Sequence, residues 1–325
     1  MAKKKETPEE ILARLSSKYK GAICQPKDVA SVPHTSLGFN RASSIWGLPR
    51  GRIVQIEGEN HVGKSTFIME AIAQYQRAGL RTVIMDYEHS FDRNYAKRIG
   101  IDMDALIFAQ PDTLEDGYNM AIEMLEAEFA DLLVVDSVSK MVPKAILEGD
   151  VGDSTVALEA RLHSQGLKKI QPLLDKTGAT MIGITQYRAK IGSMSPTADK
   201  GLTGGNSWQF DTSMRIKLSR LKTDKDNGFF INNVEITKNK TGTPFLKYKM
   251  YYTSDAGIDV VRETIEYGKE LGLITQGGSH YHYGETKLSS GHGGMDTVKQ
   301  FAEDNPEFFM EIRKKVEDAL KEADN

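Results

Sequence analysis

The chain has a single cysteine in 325 residues, Cys24. That excludes an internal disulfide and any cysteine-rich zinc site, and it favours a reducing compartment, with Cys24 itself read as a small buried hydrophobe. No apolar run is long enough to span a bilayer, so no membrane partner is expected. Lys3, Lys4 and Lys5 are followed by Glu6, Glu9 and Glu10 where a signal peptide needs an apolar stretch, and the expected location is cytoplasmic. A dominant charge is missing too: 42 Lys+Arg face 45 Asp+Glu, for a formal net charge of −3. Any polyanion binding must therefore come from local patches. There are no internal repeats, and Gly291-His292-Gly293-Gly294 is the one low-complexity segment. What remains, 39% apolar and 27% charged residues, describes a soluble globular chain with room for one large domain and one or two small ones.

The most specific feature is Gly58-Glu59-Asn60-His61-Val62-Gly63-Lys64-Ser65, a full match to a phosphate loop. Arg52 to Glu57 before it alternates like a strand, and Thr66 to Arg77 after it has the apolar spacing of an amphipathic helix. In that context backbone N–H groups and the helix N-terminus face phosphate oxygens, Lys64 reaches the β- and γ-phosphates, and the Ser65 hydroxyl ligates Mg²⁺. The pattern points to a bound nucleoside triphosphate; a glycine-rich strand-to-helix turn with no ligand is the bland alternative.

Around the loop the chain reads as α/β. Residues 8 to 19 have helical spacing, and an irregular stretch containing Pro26, Pro33 and Gly38 runs from there to about Leu48. Apolar strands at 83–86, 106–109, 132–136 and 180–185 then alternate with helices, predicting a mainly parallel, twisted sheet covered on both faces. Beyond Asp211, segments at 214–218, 233–238 and 245–252 read as antiparallel additions at one edge. Helices at 259–271 and 295–323 around a glycine- and histidine-rich turn region read as a small separate domain. The predicted divisions are an N-terminal helix and arm at 1–48, a core at 49–258 and a C-terminal α+β domain at 259–325.

Ligands of such sheets lie beyond the carboxyl ends of the strands. Leu132-Leu133-Val134-Val135-Asp136 has the form of a Walker B segment whose carboxylate orients Mg²⁺. Val83 to Glu88 places Glu88 where it could polarise an attacking water, and Ile182 to Gln186 ends in an amide able to sense the γ-phosphate. Each alone reads equally well as a polar cap on a buried strand; together with the phosphate loop they converge. Two segments look longer than a connection needs: Glu148 to Val156, preceding a helix that Ser154 could cap, and Tyr187 to Asn206. The second holds Arg188, Lys190 and Lys200 with Gly201, Gly204 and Gly205, so cations and backbone amides are available to a phosphate backbone.

From about Gly51 to Ala302 the chain resembles the RecA-type recombinases. The likeness is carried in order by GRIVQIEGENHVGKST (51–66), MDYEHSFDRNYA (85–96), AQPDT (109–113), VVDSVSKMVPKAILEGDVGDS (134–154), ARLHSQ (160–165), ITQYRAKIG (184–192), TGGN (203–206) and KNKTGTPF (238–245). The length, the shortened N-terminus and the missing acidic tail suggest a divergent member of the kind a bacteriophage encodes. The resemblance implies an ATP- and Mg²⁺-dependent enzyme of the RecA-like P-loop ATPase fold. It would form helical filaments on single-stranded DNA, pair them with homologous double-stranded DNA and exchange strands, hydrolysing ATP as it does so. It implies Glu88 as catalytic glutamate, Asp136 as Walker B aspartate and Gln186 as the residue coupling γ-phosphate to DNA. Asp92 and Tyr95 fall at adenine contacts, with Thr66 closing the loop's nucleotide contacts. Segments 148–156 and 187–205 match the two DNA-binding loops, and Arg161, Lys168, Arg188, Lys190, Gly204, Gly205 and Asn206 match DNA-contacting or loop-anchoring positions. Lys238 and Lys240 match lysines that reach the neighbour's ATP, and Phe210 and Arg215 match interface positions.

Several positions depart from the family pattern. Ser195 replaces an aromatic residue in a second loop one residue longer, Gln209 replaces a lysine, and Tyr87 and His61 carry no assigned role. Lys287, Lys299, Lys314 and Lys315 are candidates for a duplex-DNA gateway, yet Glu303, Asp304, Glu307 and Glu311 lie among them, which equally suits a solvated helix face. Two other readings remain: a RecA-like accessory binder that uses ATP as an assembly switch without exchanging strands, and a ring-forming hexameric helicase, which the N-terminal arm and the Lys238/Lys240 pair disfavour.

Overall fold

The computed structural model describes residues 6–19, 28–149, 156–188, 201–202, 205–224, 228–253 and 255–324. Cys24, Ser154, Lys190, Ser195 and Gly204 lie outside the described residues, as do most of 148–156 and 187–205 and the side chains of Arg188 and Asn206. In chain order the elements are α1 (Pro8–Lys18), β1 (Ser31–Val32), α2 (Leu37–Ser43), β2 (Leu48–Pro49), β3 (Ile53–Gly58), α3 (Lys64–Arg77), β4 (Thr82–Asp86), α4 (Arg93–Ile99) and β5 (Ile107–Ala109). There follow α5 (Leu114–Glu126), β6 (Leu132–Asp136), α6 (Lys144–Glu148), α7 (Val156–Thr177), β7 (Thr180–Arg188), β8 (Gly201–Leu202), α8 (Gly205–Asp211), β9 (Met214–Asp224), β10 (Phe229–Asn239), β11 (Lys247–Thr253) and β12 (Gly257–Ile258). The C-terminal part consists of α9 (Val260–Glu270), β13 (Ile274–Gly277), β14 (His280–Tyr283), β15 (Thr286–Lys287), α10 (Met295–Asp304) and α11 (Pro306–Asp324).

The large sheet has the order β12-β11-β10-β9-β3-β7-β6-β4-β5, with β8 paired to β7. Strands β9, β3, β7, β6, β4 and β5 are parallel, and β10, β11 and β12 add antiparallel at the edge beyond β9. The apolar runs follow from burial on both faces. In β6, Leu132 and Val134 join the core beneath α3, while Leu133 and Val135 join the core shared with α5 and α7. Gly183 is required on the second side, because a Cβ there would lie 2.3 Å from the Trp208 ring.

The elements differ from the sequence expectation in length and, at α2 and at the three-stranded sheet β13-β14-β15 inside the region read as turns, in kind. β9 and β10 run several residues longer than read. The helical stretch at 295–323 is broken at Asn305, and Pro306 opens α11, where its missing N–H costs nothing. The stretch read as irregular before Leu48 contains α2, every residue of which is buried. Its start is fixed by Glu263 of α9, whose carboxylate accepts from the Ser36 hydroxyl at 2.7 Å, Leu37 N at 2.8 Å and Tyr251 N at 3.3 Å. Arg41 in α2 pairs with Asp324 and Glu270, and Trp46 Nε1 donates to Glu317 at 3.1 Å, so α11 packs back onto the N-terminal segment. Helix α1, by contrast, buries no residue, and its Ile11 and Leu12 are exposed. No helix among the described residues is long and apolar enough to cross a membrane.

Candidate functional site

The parallel register brings four strand ends together. Gly58 of β3 lies beside Gln186 of β7, and Asp86 of β4 beside Asp136 of β6, all at the carboxyl edge. Helix α3 starts at Lys64, two residues before the expected Thr66, because Gly63 takes the left-handed conformation (φ 91°) that turns the chain from loop into helix. A Cβ on Gly63 would meet Asn232 Nδ2 at 3.6 Å and the rings of Phe230 and Tyr252 at 3.7 Å, so β10 and β11 pack directly beneath the loop.

That packing fixes the loop's shape. Asn232 Nδ2 donates to the Val62 carbonyl and Arg220 Nη2 to the His61 carbonyl, each at 2.5 Å. The Arg220 guanidinium also sits 3.8 Å from the centre of the Phe230 ring, which stacks on Tyr252 at 4.8 Å. Lys64 Nζ donates to the carbonyls of Gly58 and Glu59 at 3.1 and 2.7 Å. Burial lowers its pKa, opposed by the charges of Glu88 and Asp136.

Carboxylates converge opposite the loop. Burial pushes the Asp136 carboxyl up to about 7, repulsion from Glu88 and Asp86 adds to the shift, and Lys64 and a hydrogen bond from Ser65 oppose it. Asp86 Oδ1 is spent on the backbone, accepting from Glu88 N and His89 N at 3.1 and 2.9 Å. Glu88 Oε1 accepts from Gln186 Nε2 at 2.6 Å and, more weakly, from the Ser137 hydroxyl at 3.5 Å. The glutamate and the amide named from two separate strand ends are thus direct partners. The Ser65 hydroxyl, bonded to the Asp136 carboxyl, makes with it a pair of oxygen donors of the kind a hard divalent cation takes, and these two are the candidate ligands; among the described residues no group of three or more acidic, histidine or cysteine side chains is arranged to hold a metal ion.

At the other end of the cleft, Tyr95 reaches Thr66 Oγ1 at 3.1 Å through its hydroxyl, and Arg98 lies 5.5 Å from the ring centre. Asp92 caps α4, accepting from Asn94 N and Tyr95 N at 2.9 Å. The whole cleft encloses about 780 Å³ and contains phosphate loop, Glu88, Asp136, Gln186, Asp92 and Tyr95 together.

The remaining candidates lie elsewhere. In the β9–β10 register Lys238 pairs with Arg215, which itself sits beside Gln55 near the amino end of β3. Lys238 and Lys240 are therefore at the opposite edge of the sheet from their own phosphate loop, and the cleft does not include them. Lys238 Nζ donates to the carbonyls of Gln209 and Phe210 at 2.9 and 2.8 Å; its pKa is lowered by burial and then by Lys240 and Arg215. Arg215 pairs with Glu57 at 2.7 Å, Lys240 is exposed, and Phe210 at 72% exposure stands in solvent. Arg161 and Lys168 are exposed and seven residues apart on α7, hence on one stripe, and Gly205 opens α8. Of the C-terminal lysines, Lys299 is paired with Asp259 and Lys314 with Asp318, both at 2.9 Å, which favours the structural reading for those two.

Sequence reading missed Arg220, Phe230 and Asn232, which support the loop. Asn232 carried a usable signal: it falls in the inward phase of β10 with Val234 and Ile236, a polar residue where an apolar one was due. Tyr87 and His61 gain structural parts, Tyr87 OH donating to the Thr113 carbonyl at 3.1 Å.

Family models for the RecA N-terminal domain and the RecA C-terminal domain match residues 13–259 and 262–321. The chain belongs to the RecA family. Its RecA relatives include Protein RecA of Porphyromonas gingivalis, 37% identical over 298 residues that cover 91% of this chain and 86% of that protein. Protein RecA of Bacteroides thetaiotaomicron is 38% identical over 309 residues, covering 93% and 92%. That of Cytophaga hutchinsonii is 39% identical over 293 residues, covering 89% and 81%.

Proposed function

We propose that this RecA-family protein is a cytoplasmic ATP-dependent DNA recombinase. It forms helical filaments on single-stranded DNA and catalyses homologous pairing and strand exchange with double-stranded DNA, and DNA stimulates its ATP hydrolysis. The observation that carries the reading is the separation of two half-sites in one chain. A preformed phosphate cleft opens at one edge of the sheet, and Lys238, Lys240 and exposed Phe210 lie at the other. Head-to-tail association, a heterologous contact that repeats without closing, brings one copy's lysines to the next copy's cleft. The apolar side of α1, with Ile11 and Leu12 exposed, supplies a further contact to a neighbour.

In this reading the residues divide the work. Backbone N–H groups of 58–66 and Lys64 hold the phosphates, and Tyr95 with Asp92 holds the adenine. Ser65 and Asp136 would hold Mg²⁺, which would supply positive charge against the phosphates. Glu88 accepts a proton from the attacking water, and Gln186, already bonded to Glu88, trades that bond for one to the γ-phosphate. The trade pulls on β7, which continues into the segment 187–205 assigned to DNA. Arg161 and Lys168 on α7, with Arg188, Lys190, Gly204, Gly205 and Asn206, contact or anchor the strand, and base pairing supplies the sequence specificity. Residues 49–258 form the ATPase unit, 1–48 the assembly arm and 259–325 a separate small domain.

A displacement-loop assay tests this: with single-stranded DNA, ATP and a homologous supercoiled duplex, the protein forms joint molecules. Coating of DNA without joint molecules would establish the accessory reading instead. Closed rings on imaging with DNA and a non-hydrolysable ATP analogue would establish the helicase.

A further inference from the structure

Among the described residues four cations line the nucleotide cleft: Lys64, Arg98, Lys140 and Arg220. Three are held by backbone carbonyls, Lys64 by Gly58 and Glu59, Arg98 by Asp255 and Arg220 by His61. The ammonium of Lys140 is exposed and has no hydrogen bond or ion pair to a described residue.

Its position is set by a 3-10 turn, Val138–Lys140, directly after Asp136 and Ser137. Lys140 N donates to Ser137 O at 3.0 Å and Met141 N to Val138 O at 3.2 Å. Residues i and i+3 eclipse in such a turn, and here Val138 and Met141 point together into the core beneath the sheet. Ser139 and Lys140 are thereby turned outward. The Ser139 hydroxyl lies 2.9 Å from that of Ser137, which reaches Glu88, so the turn that carries Lys140 also borders the Glu88–Gln186 end of the cleft. A long flexible stem with a point charge suits a phosphate whose position changes between nucleotide states.

We propose that Lys140 binds the terminal phosphate of a nucleoside triphosphate held by its own chain. A lone subunit then prefers triphosphate to diphosphate before a neighbour's Lys238 and Lys240 arrive. The inference rests on the nucleotide reading of the cleft.

Calorimetric titration of the full-length, DNA-free protein, at a concentration where light scattering reports monomers, tests it with Mg²⁺-AMP-PNP and Mg²⁺-ADP. Lys140→Ala weakens AMP-PNP about tenfold, the size of a single charge-assisted hydrogen bond, and changes ADP less than about twofold. Lys140→Arg retains most of the AMP-PNP affinity. Lys144→Ala, which removes an exposed cation paired with Glu148 at 3.6 Å, leaves both affinities unchanged. An AMP-PNP to ADP ratio in Lys140→Ala equal to that of the unaltered protein would overturn the proposal, as would an equal loss in Lys144→Ala. Unaltered protein that binds neither nucleotide would overturn the reading of the cleft and the inference with it.

Discussion

The two edges of the central sheet are finished to different degrees. At the carboxyl edge the polar side chains are engaged: Lys64, Asn232 and Arg220 hold the loop's carbonyls, and Gln186 holds Glu88. At the amino edge, Phe210 and Lys240 face solvent, and Lys238 is anchored on the carbonyls of Gln209 and Phe210, outside the cleft. A preorganised edge can bind a small ligand without reshaping, whereas an exposed aromatic beside an exposed lysine offers its surface to another molecule. On the proposed reading, one chain holds both halves of a site yet cannot join them.

Changes at the two edges should therefore fail differently. The largest effect is expected from Lys64→Ala, which lowers ATP turnover by about two to three orders of magnitude, in keeping with the loss of a charge preorganised at the transferring phosphate. A drop under tenfold in steady-state ATPase would break the assignment of the phosphate cleft. Lys240→Ala should abolish DNA-stimulated turnover, more than about tenfold, while AMP-PNP binding by the monomer stays as in the unaltered protein. Unchanged stimulated turnover would remove Lys240 from the shared site. Asn232→Ala sharpens the contrast from beneath the loop. Losing its bond to the Val62 carbonyl at a buried position should cost about 1–2 kcal/mol in urea unfolding and raise KM for ATP. Phe210→Ala should leave unfolding unmoved, since the ring is 72% exposed, and raise several-fold the concentration at which light scattering detects assembly.

The effect that bears least on the comparison lies in a region outside both edges. Glu263 is fully buried, and burial raises its carboxyl from 4.5 to about 7 against the opposing influence of Arg313 and the donors Ser36, Leu37 and Tyr251. A carboxyl that ionises later in the folded than in the unfolded chain binds more protons when folded. Its contribution is full below pH 4.5 and is lost as pH rises through 7. The stability difference between the unaltered protein and Glu263→Gln should accordingly shrink between pH 5 and pH 8, by at most about 3 kcal/mol. A difference constant across that range would show that Glu263 is ionised throughout.

What the sequence made legible follows from where the signal is local. The phosphate loop, the strands around it and the carboxylates at their ends are each short, regular and independent of distant residues, and Glu88, Asp136 and Gln186 do meet. Support for the loop was barely legible, because Arg220, Phe230 and Asn232 lie about 160 residues later, just outside the segments read as edge strands, and of the three only Asn232 carried a signal, as a polar residue in the inward phase of β10. Helix α2 was hidden for a similar reason. Its seven residues carry little helical periodicity of their own, and it is held by Glu263 and by α11 from the far end of the chain. The proposal that lysines at the far edge belong to the same chemistry comes from the family resemblance alone, since neither pattern suggests it.

Whether the site is shared between copies is tested most directly by mixing two inactive variants, Glu88→Gln and Lys240→Ala, on single-stranded DNA and measuring ATP turnover. In a randomly mixed head-to-tail filament about a quarter of junctions pair an intact cleft with intact lysines, and turnover should recover to about that fraction. No recovery at any mixing ratio, in filaments shown to contain both variants, would contradict the shared site.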